Sequence, residues 1–180
     1  GKPGYFMPRC ICQCQREAEE QRKAAARHIE AQTFSVDLPE YWDGRVTAKV
    51  EGDSICLYST TYPDKHLGSL TGYDHEAQVA GDVSGSLVKD INLGSGRYVE
   101  IWIRRWTYEA AMSHLSKYSS SSSICSDDAA RETLDLQSLG AVSFDTIVSE
   151  MKAANAPDSK TLFKADDIFA NALAPTVKLL

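Results

Sequence analysis

The stretch LVKDINLGSGRYVEIWIRRW, residues Leu87–Trp106, decides the fold of this chain. Two runs rich in Val, Ile and Tyr flank the loop Gly94–Gly96, and glycine readily takes the positive φ that a short hairpin loop requires. Within Val99–Ile103, β-branched residues alternate with Glu and Trp, which is the period of a β-strand. The stretch therefore predicts a β-hairpin with one apolar face and one mixed face, and we expect it at the centre of a sheet.

Further strands are predicted upstream of this hairpin. Arg45–Glu51 and Ser54–Thr60 flank Gly52-Asp53, which is the pattern of a compact second hairpin. Phe34–Leu38 comes directly before a proline and predicts a short strand that ends in a turn. The weaker strand candidates are His66–Thr71 and Ala77–Ala80.

Helices are predicted on both sides of the strands. Gln15–Gln32 consists mostly of good helix formers and carries many charges. After the Leu87–Trp106 hairpin, apolar residues recur at helical spacing, and Pro175 is expected to interrupt the last helix. The predicted C-terminal helices are Trp106–Lys117, Ser126–Leu139, Ser143–Met151 and Ala165–Leu180.

Strands followed by helices predict an α+β fold, with an antiparallel sheet of about five or six strands and C-terminal helices packed on it. The change of composition at residue 33 suggests two parts. Residues 1–32 would form a Cys-rich arm with a charged helix, and residues 33–180 the α+β domain. A chain of 180 residues with 43% hydrophobic residues suffices for one such core.

Charge and hydropathy restrict the function classes. The net charge of −6 argues against nucleic acid as a partner, because phosphates would be repelled. No apolar run approaches the length of a membrane span, so we expect no transmembrane segment in this chain.

Three closely spaced thiols, Cys10, Cys12 and Cys14, are the clearest metal-binding candidates. Thiolates at such spacing can share one soft ion, and zinc is the cofactor that they suggest. A structural zinc site needs about four ligands, so His28, a second copy of the chain or residues upstream would have to complete it. A cluster of thiols without metal is the alternative.

The run GKPGYFMPRCICQCQREAEEQRKAA resembles the N-terminal region of phage and bacterial helicase-loader proteins, in which a cysteine pair precedes a charged helix. The resemblance implies a zinc ribbon that an earlier cysteine pair completes, followed by an ATPase domain. That earlier pair is absent here, and the sequence has no G-x-x-x-x-G-K-[ST] loop to hold a triphosphate.

A longer resemblance covers residues 34–180. FSVDLPEYWDGRV, LYSTTYP and RYVEIWIRRW, with the later DLQ run, resemble uncharacterised exported domains of gut bacteria that carry an L-P-x-Y-W-x-G-[KR]-V opening. The resemblance implies an α+β fold and a location outside the cytoplasm or in the cell envelope, but no activity. The cysteine stretch instead suggests the cytoplasm, which stays open as the alternative location.

Aromatic and basic residues on the second arm of the hairpin are the candidate ligand-binding site. Trp beside Arg is the pairing enriched at binding hot spots. In the alternative, the C-terminal helices cover this face and an arginine pairs with an acid. Tyr41-Trp42 is expected to plug the sheet rather than bind a ligand. The ligand-binding candidates are Tyr98, Trp102, Arg104, Arg105 and Trp106.

The sequence contains no complete catalytic motif. Asp64-x-His66 and Asp74-His75-Glu76 could share protons, but no G-x-S-x-G elbow places a serine nucleophile. We therefore expect a non-catalytic binding or accessory domain of the cell envelope, whose partner is a protein or another envelope component. A zinc-binding nucleic-acid or replication accessory protein is the second hypothesis, and a hydrolase is the third.

Overall fold

The computed structural model of the chain describes residues 7–104, 106, 109–110, 128–140, 146, 149 and 168–180. It confirms the predicted α+β class, with an N-terminal helix, a five-stranded antiparallel sheet, a small three-stranded sheet and two C-terminal helices. The helices are α1 (Met7–Arg27) and α2 (Asp128–Gln137), with a further helical segment at residues 168–173. The strands are β1 (His28–Glu30), β2 (Phe34–Asp37), β3 (Val46–Glu51), β4 (Ser54–Ser59), β5 (His66–Tyr73), β6 (Gly85–Gly94), β7 (Arg97–Arg104) and β8 (Lys178–Leu179).

The two predicted hairpins are confirmed as β3–β4 and β6–β7. In the second hairpin the loop residues Gly94, Ser95 and Gly96 all have positive φ, as the glycine pattern predicts. The strand order in the large sheet is β3-β4-β5-β7-β6. The prediction that the β6–β7 hairpin lies at the centre of the sheet is wrong for β6, which lies at one edge. The local sequence of a hairpin does not specify which distant strand pairs with its outer side.

The connection between β5 and β6, residues 74–84, differs from the prediction. Both strands are antiparallel to β7, so they run parallel to each other and the chain must return past β7 before β6 begins. Ala77–Ala80, a strand candidate, lies in this connection and is not a strand. The backbone amide of Ala77 instead donates to a carboxylate oxygen of Asp90 at 2.8 Å, which holds the connection against β6.

The N-terminal helix starts and ends earlier than the predicted Gln15–Gln32. It begins at Met7, and Pro8 lies in the first turn, where the missing N–H breaks no intrahelical hydrogen bond. It ends at Arg27 because His28–Glu30 forms β1, which pairs with β2 in the small sheet.

The predicted last helix, Ala165–Leu180, is too long. The helical segment 168–173 continues into one 3-10 turn, Ala174–Thr176, and the chain then forms β8. Pro175 cannot continue an α-helix, and β8 instead pairs with β2. Of the other predicted C-terminal helices, Ser126–Leu139 is confirmed as α2. For Trp106–Lys117 and Ser143–Met151, the structure describes only residues 106, 109–110, 146 and 149, and all of these are helical.

The core lies on one face of the five-stranded sheet, which we call the inner face. The small sheet, α2 and the segment 168–173 cover it. Trp42, in the 3-10 turn after β2, packs with its ring centroid 5.5 Å from that of Phe169 and donates its indole N–H to the carbonyl of Leu136 at 2.9 Å. The predicted plug is thus confirmed for Trp42, whereas Tyr41 is 38% exposed. The largest fully buried side chains are Trp42, Phe34, Phe169, Ile55, Leu57, Leu67, Leu70, Ile101, Ile103, Leu134 and Leu136.

A polar cluster joins the small sheet to the large one. Asp53, in the β3–β4 turn, accepts hydrogen bonds from the backbone amide of Thr33 at 2.8 Å and from its hydroxyl at 2.5 Å. Arg97 donates to the same carboxylate at 3.1 Å. A Cβ on Gly72 would lie 2.0 Å from the Asp53 carboxylate, so only glycine leaves room for this arrangement.

The His28 side chain makes the β1–β2 pairing sensitive to pH. Its ring nitrogens contact carboxylate oxygens of Asp37 at 2.7 Å and Glu30 at 3.1 Å. The hydrogen bond with Asp37, and then that with Glu30, raise the pKa of His28 above its usual value. A raised pKa in the folded state stabilises the fold fully below about pH 6.5, and this contribution is lost as the pH rises through the folded-state value.

We therefore expect the free energy of unfolding of the wild type, minus that of His28→Gln, to be larger at pH 5.5 than at pH 8.5. Urea unfolding at both pH values measures this difference. His75→Gln is the matched control, because His75 is exposed and its ring contacts a backbone carbonyl rather than a carboxylate. A His28→Gln difference that is equal at the two pH values, or larger at pH 8.5, would contradict the role of the two carboxylates.

Candidate functional site

The face of the five-stranded sheet opposite the core, which we call the outer face, carries the predicted ligand-binding residues of β7. Cross-strand register places side chains from four strands on this face, because directly opposed residues point to the same side of a sheet. Most of these side chains are half-buried. From these four strands the outer face comprises Thr47, Lys49, Glu51, Ser54, Cys56, Tyr58, His66, Ser69, Thr71, Tyr73, Tyr98, Glu100, Trp102 and Arg104, and β6 adds Leu87, Asp90 and Asn92.

One row of contacts crosses the outer face. The ammonium of Lys49 lies 4.9 Å from the ring centroid of Tyr58, and the Tyr58 ring stacks on His66 at 4.7 Å with 15° between the planes. Arg104 then donates its Nε–H to His66 Nδ1 at 3.0 Å. This cation–aromatic row (Lys49, Tyr58, His66, Arg104) links the neighbouring strands β3, β4, β5 and β7.

His66 is neutral in this row. Burial, and secondly the positive charge of Arg104, lower its pKa to about 4. Because Nδ1 accepts the hydrogen bond from Arg104, the ring proton is assigned to Nε2, which is buried and for which the described residues provide no hydrogen bond of good geometry. A histidine in this state is a poor general base at neutral pH, since it binds a proton only in acid.

The positive charge of Arg104 is not neutralised by a direct ion pair with any carboxylate of the described residues. Its Nη1 donates to the Ser84 hydroxyl at 2.9 Å, and Asp82 accepts from the same hydroxyl at 2.6 Å. Asp82 is thus linked to Arg104 through Ser84. The guanidinium keeps hydrogen-bonding capacity for a group from outside the chain.

The other end of the outer face is acidic. Trp102 donates its indole N–H to Glu100 at 2.9 Å, and Glu100 is only 5% exposed. Asp90 of β6 is the direct cross-strand neighbour of Glu100. The outer face therefore has a cationic end, formed by the cation–aromatic row, and an acidic end, with Trp102 between them.

The structure brings together three of the five predicted binding residues. Tyr98, Trp102 and Arg104 share the outer face, as the period of β7 predicts. Trp106 is half-buried, and the ammonium of Lys65 lies 4.1 Å from its ring centroid. Arg105 lies outside the described residues. That these residues bind a ligand stays a prediction.

Sequence reasoning missed the other half of the row. Lys49 and Tyr58 belong to a predicted hairpin, so their register could have been derived from its Gly52-Asp53 turn. In the sequence, His66 follows Asp64 closely and begins a weak strand candidate, and neither pattern indicates an arginine as its neighbour. Its position beside Arg104 depends on the pairing of β5 with β7, which no local pattern encodes.

Cys10, Cys12 and Cys14 lie on α1 rather than in an extended arm. Residues two positions apart in an α-helix lie about 200° apart around the helix axis. Cys12 is therefore on the side of α1 opposite Cys14. Cys12 and Cys14 are exposed free thiols, and the described side chains contain no group of three or more potential metal ligands. Zinc binding by the three thiols stays a prediction that would need ligands from elsewhere.

Among the described residues, His66 and His75 do not meet the carboxylates of the acids that flank them in the sequence. His66 contacts Arg104 and Tyr58, and His75 contacts the carbonyl of Glu76. Asp64 pairs instead with the ammonium of Lys65 at 3.5 Å. Within the described residues, neither of these histidines has a carboxylate as a hydrogen-bond partner.

A cleft of about 290 Å³ lies away from the outer face, between the end of α1 and the 3-10 turn at Glu40–Trp42. Two cations line it, Lys23 and Arg27, and Arg27 is already bonded to both carboxylate oxygens of Asp43, at 2.8 and 2.5 Å. This pairing lowers the pKa of Asp43. Since Arg27 is paired with Asp43 and Lys23 with Glu19 at 3.6 Å, whereas Arg104 has no direct ion pair among the described residues, the outer face is the stronger candidate for a ligand that carries negative charge.

The sequence matches no protein-family model, and no curated protein and no solved structure is significantly similar to it. In the described part of the chain, no helix is both long and apolar enough to cross a membrane. The structure thus shows an α+β domain, and a function has to be argued from the mixed outer face of its large sheet.

Proposed function

We propose that this protein is a non-catalytic binding or accessory domain of the cell envelope, and that its ligand binds on the outer face. One observation carries the proposal. The cation–aromatic row lies on the sheet face opposite the core, with a guanidinium that no carboxylate of the described chain neutralises directly.

The chemistry of the row favours a ligand with negative charge. Arg104 and Lys49 supply two cations, although the chain as a whole has a net charge of −6. Arginine in particular binds carboxylate and phosphate through its planar set of donors. Because the protein as a whole is acidic, its net charge does not attract anions, and an anionic ligand would be bound by direct contacts with this local cationic surface.

The aromatic side chains add a preference for flat apolar surfaces. Tyr58 and Trp102 are both half-buried, and because the Tyr58 ring already contacts Lys49 and His66, the Trp102 ring is the one that remains for a ligand. Such rings pack against a flat C–H face or another π-system with little loss of side-chain entropy, since they have only two rotatable bonds. An acidic polysaccharide combines both properties, and the resemblance of residues 34–180 to exported domains makes an envelope polysaccharide the first ligand to test.

Binding can be measured by calorimetry with three probes: an oligogalacturonate as the acidic sugar, a maltooligosaccharide as the neutral sugar and oligo(dT) as nucleic acid. We expect binding to the oligogalacturonate alone, with weaker binding at higher salt. Trp102→Ala and Arg104→Gln should each weaken it by about tenfold, since each removes a contact of roughly 1.4 kcal/mol or more.

Lys178→Gln is the matched control, because it removes the same charge from the exposed strand β8 and should leave affinity unchanged. No binding to the oligogalacturonate, or binding that Arg104→Gln does not weaken, would remove this proposal. A preference for oligo(dT) would instead support a nucleic-acid accessory protein.

A further inference from the structure

Helix α1 packs against very little of the described part of its own chain. It contains 21 residues, and every side chain from Cys12 to Ala26 is exposed. Its attachment to the domain is at the C-terminal end, where Arg27 pairs with Asp43 and the Arg27 carbonyl accepts from the Leu38 amide at 2.8 Å. A helix of this length projects about 30 Å. Helices in proteins owe most of their stability to the packing of one face against a partner, so a partner would stabilise this one.

The sequence of α1 contains a heptad seam. Residues of mostly small or apolar type follow one another at alternating intervals of four and three, and this average of 3.5 residues is the repeat of two-stranded coiled coils. The only fully polar member, a glutamine, would restrict the register of two paired helices. The seam consists of Met7, Ile11, Cys14, Ala18, Gln21 and Ala25.

The charges beside the seam specify both the partner and its direction. Glu17 and Arg22 flank it at positions g and e of successive heptads. In a parallel pair of identical helices, residue g of one helix meets residue e of the next heptad in the other. Glu17 would therefore meet Arg22 of a second copy, twice in each dimer. An antiparallel pair would set like positions against each other and lose both contacts.

We propose that α1 pairs with α1 of a second copy of this chain in a parallel, two-stranded coiled coil. The seam is short and its side chains are small, so the association is weak and depends on concentration. Because α1 and the outer face are separate parts of the chain, this inference does not depend on the proposed ligand.

Cysteine cross-linking tests the pairing, because α1 carries its own control. In the coiled coil Cys14 meets Cys14 of the partner, whereas Cys12 lies on the outside. The full chain is prepared with only Cys14 or only Cys12 kept on α1, the other α1 cysteines being serine. Oxidised glutathione then converts two paired thiols into a disulfide and is itself reduced to two molecules of glutathione. We expect about tenfold more disulfide-linked dimer with Cys14, since pairing raises its effective concentration.

Exchanging the charges at positions 17 and 22 distinguishes a specific helix pair from disulfides that form by random collision. Glu17→Arg should reduce the yield of the Cys14 dimer, and Glu17→Arg with Arg22→Glu should restore it, while circular dichroism shows that helix content is kept. A chain that lacks all three α1 cysteines gives the background from the remaining thiols. Equal yields from Cys12 and Cys14, a yield at background, or no recovery in the double exchange would overturn the proposal.

Discussion

Gly68→Ala is expected to lower the free energy of unfolding by about 3 kcal/mol. Gly68 lies in β5, directly opposite Ile103 of β7, and is buried. An added Cβ would lie 2.3 Å from the carbonyl oxygen of Trp102 and 3.3 Å from the ring of Phe169. The first of these atoms is backbone in a central ladder, so it cannot move without separating β5 from β7.

Urea unfolding followed by circular dichroism measures this effect. Ser69→Ala is the neighbouring control: its side chain lies on the outer face, and we expect a change within about 0.5 kcal/mol. A Gly68→Ala protein as stable as the wild type would show that the two strands do not approach as closely as described.

Trp42→Ala is expected to cost about 4 kcal/mol, within the range for removing a buried tryptophan. Trp42 is 2% exposed and joins three parts of the core: the turn after β2, the end of α2 and the segment 168–173. Trp42→Phe keeps a ring near Phe169 but leaves the carbonyl of Leu136 without its indole donor. That variant should lose about 1–2 kcal/mol.

The two substitutions together separate packing from hydrogen bonding. The same urea titrations should give the order wild type, Trp42→Phe, Trp42→Ala in decreasing stability. If Trp42→Phe were as unstable as Trp42→Ala, the indole hydrogen bond rather than the ring volume would carry the effect. If both equalled the wild type, Trp42 would not be the plug of this core.

The fold could be predicted where structure depends on neighbours in the sequence. The turn glycines at residues 52, 94 and 96 have the positive φ that hairpin loops need, and β7 buries the alternate residues that its period predicts. The strand β8 could not be predicted, because two exposed residues after a proline acquire strand structure only by pairing with β2, far away in the chain. The edge position of β6 was missed for the same reason.

In the candidate site, too, the features that depend on sequence neighbours could be predicted, and those that depend on distant strand pairing could not. Tyr98, Trp102 and Arg104 share a face because one strand has a period of two, and this was predicted. His66 and Arg104 meet because β5 and β7 are neighbours, and nothing in the sequence around His66 indicates that burial, and secondly Arg104, lower its pKa. Local patterns thus indicated one strand of the site, and the pairing of distant strands supplied the rest.

The central claim is that the outer face binds an acidic ligand, and chemical-shift mapping by NMR tests it most directly. On titration with the oligogalacturonate, the largest shifts should fall on β4, β5 and β7 and on the indole N–H of Trp102. The amides that line the cleft beside Arg27 should stay unchanged. Shifts that concentrate at that cleft, or none at any concentration of the probe, would contradict the account.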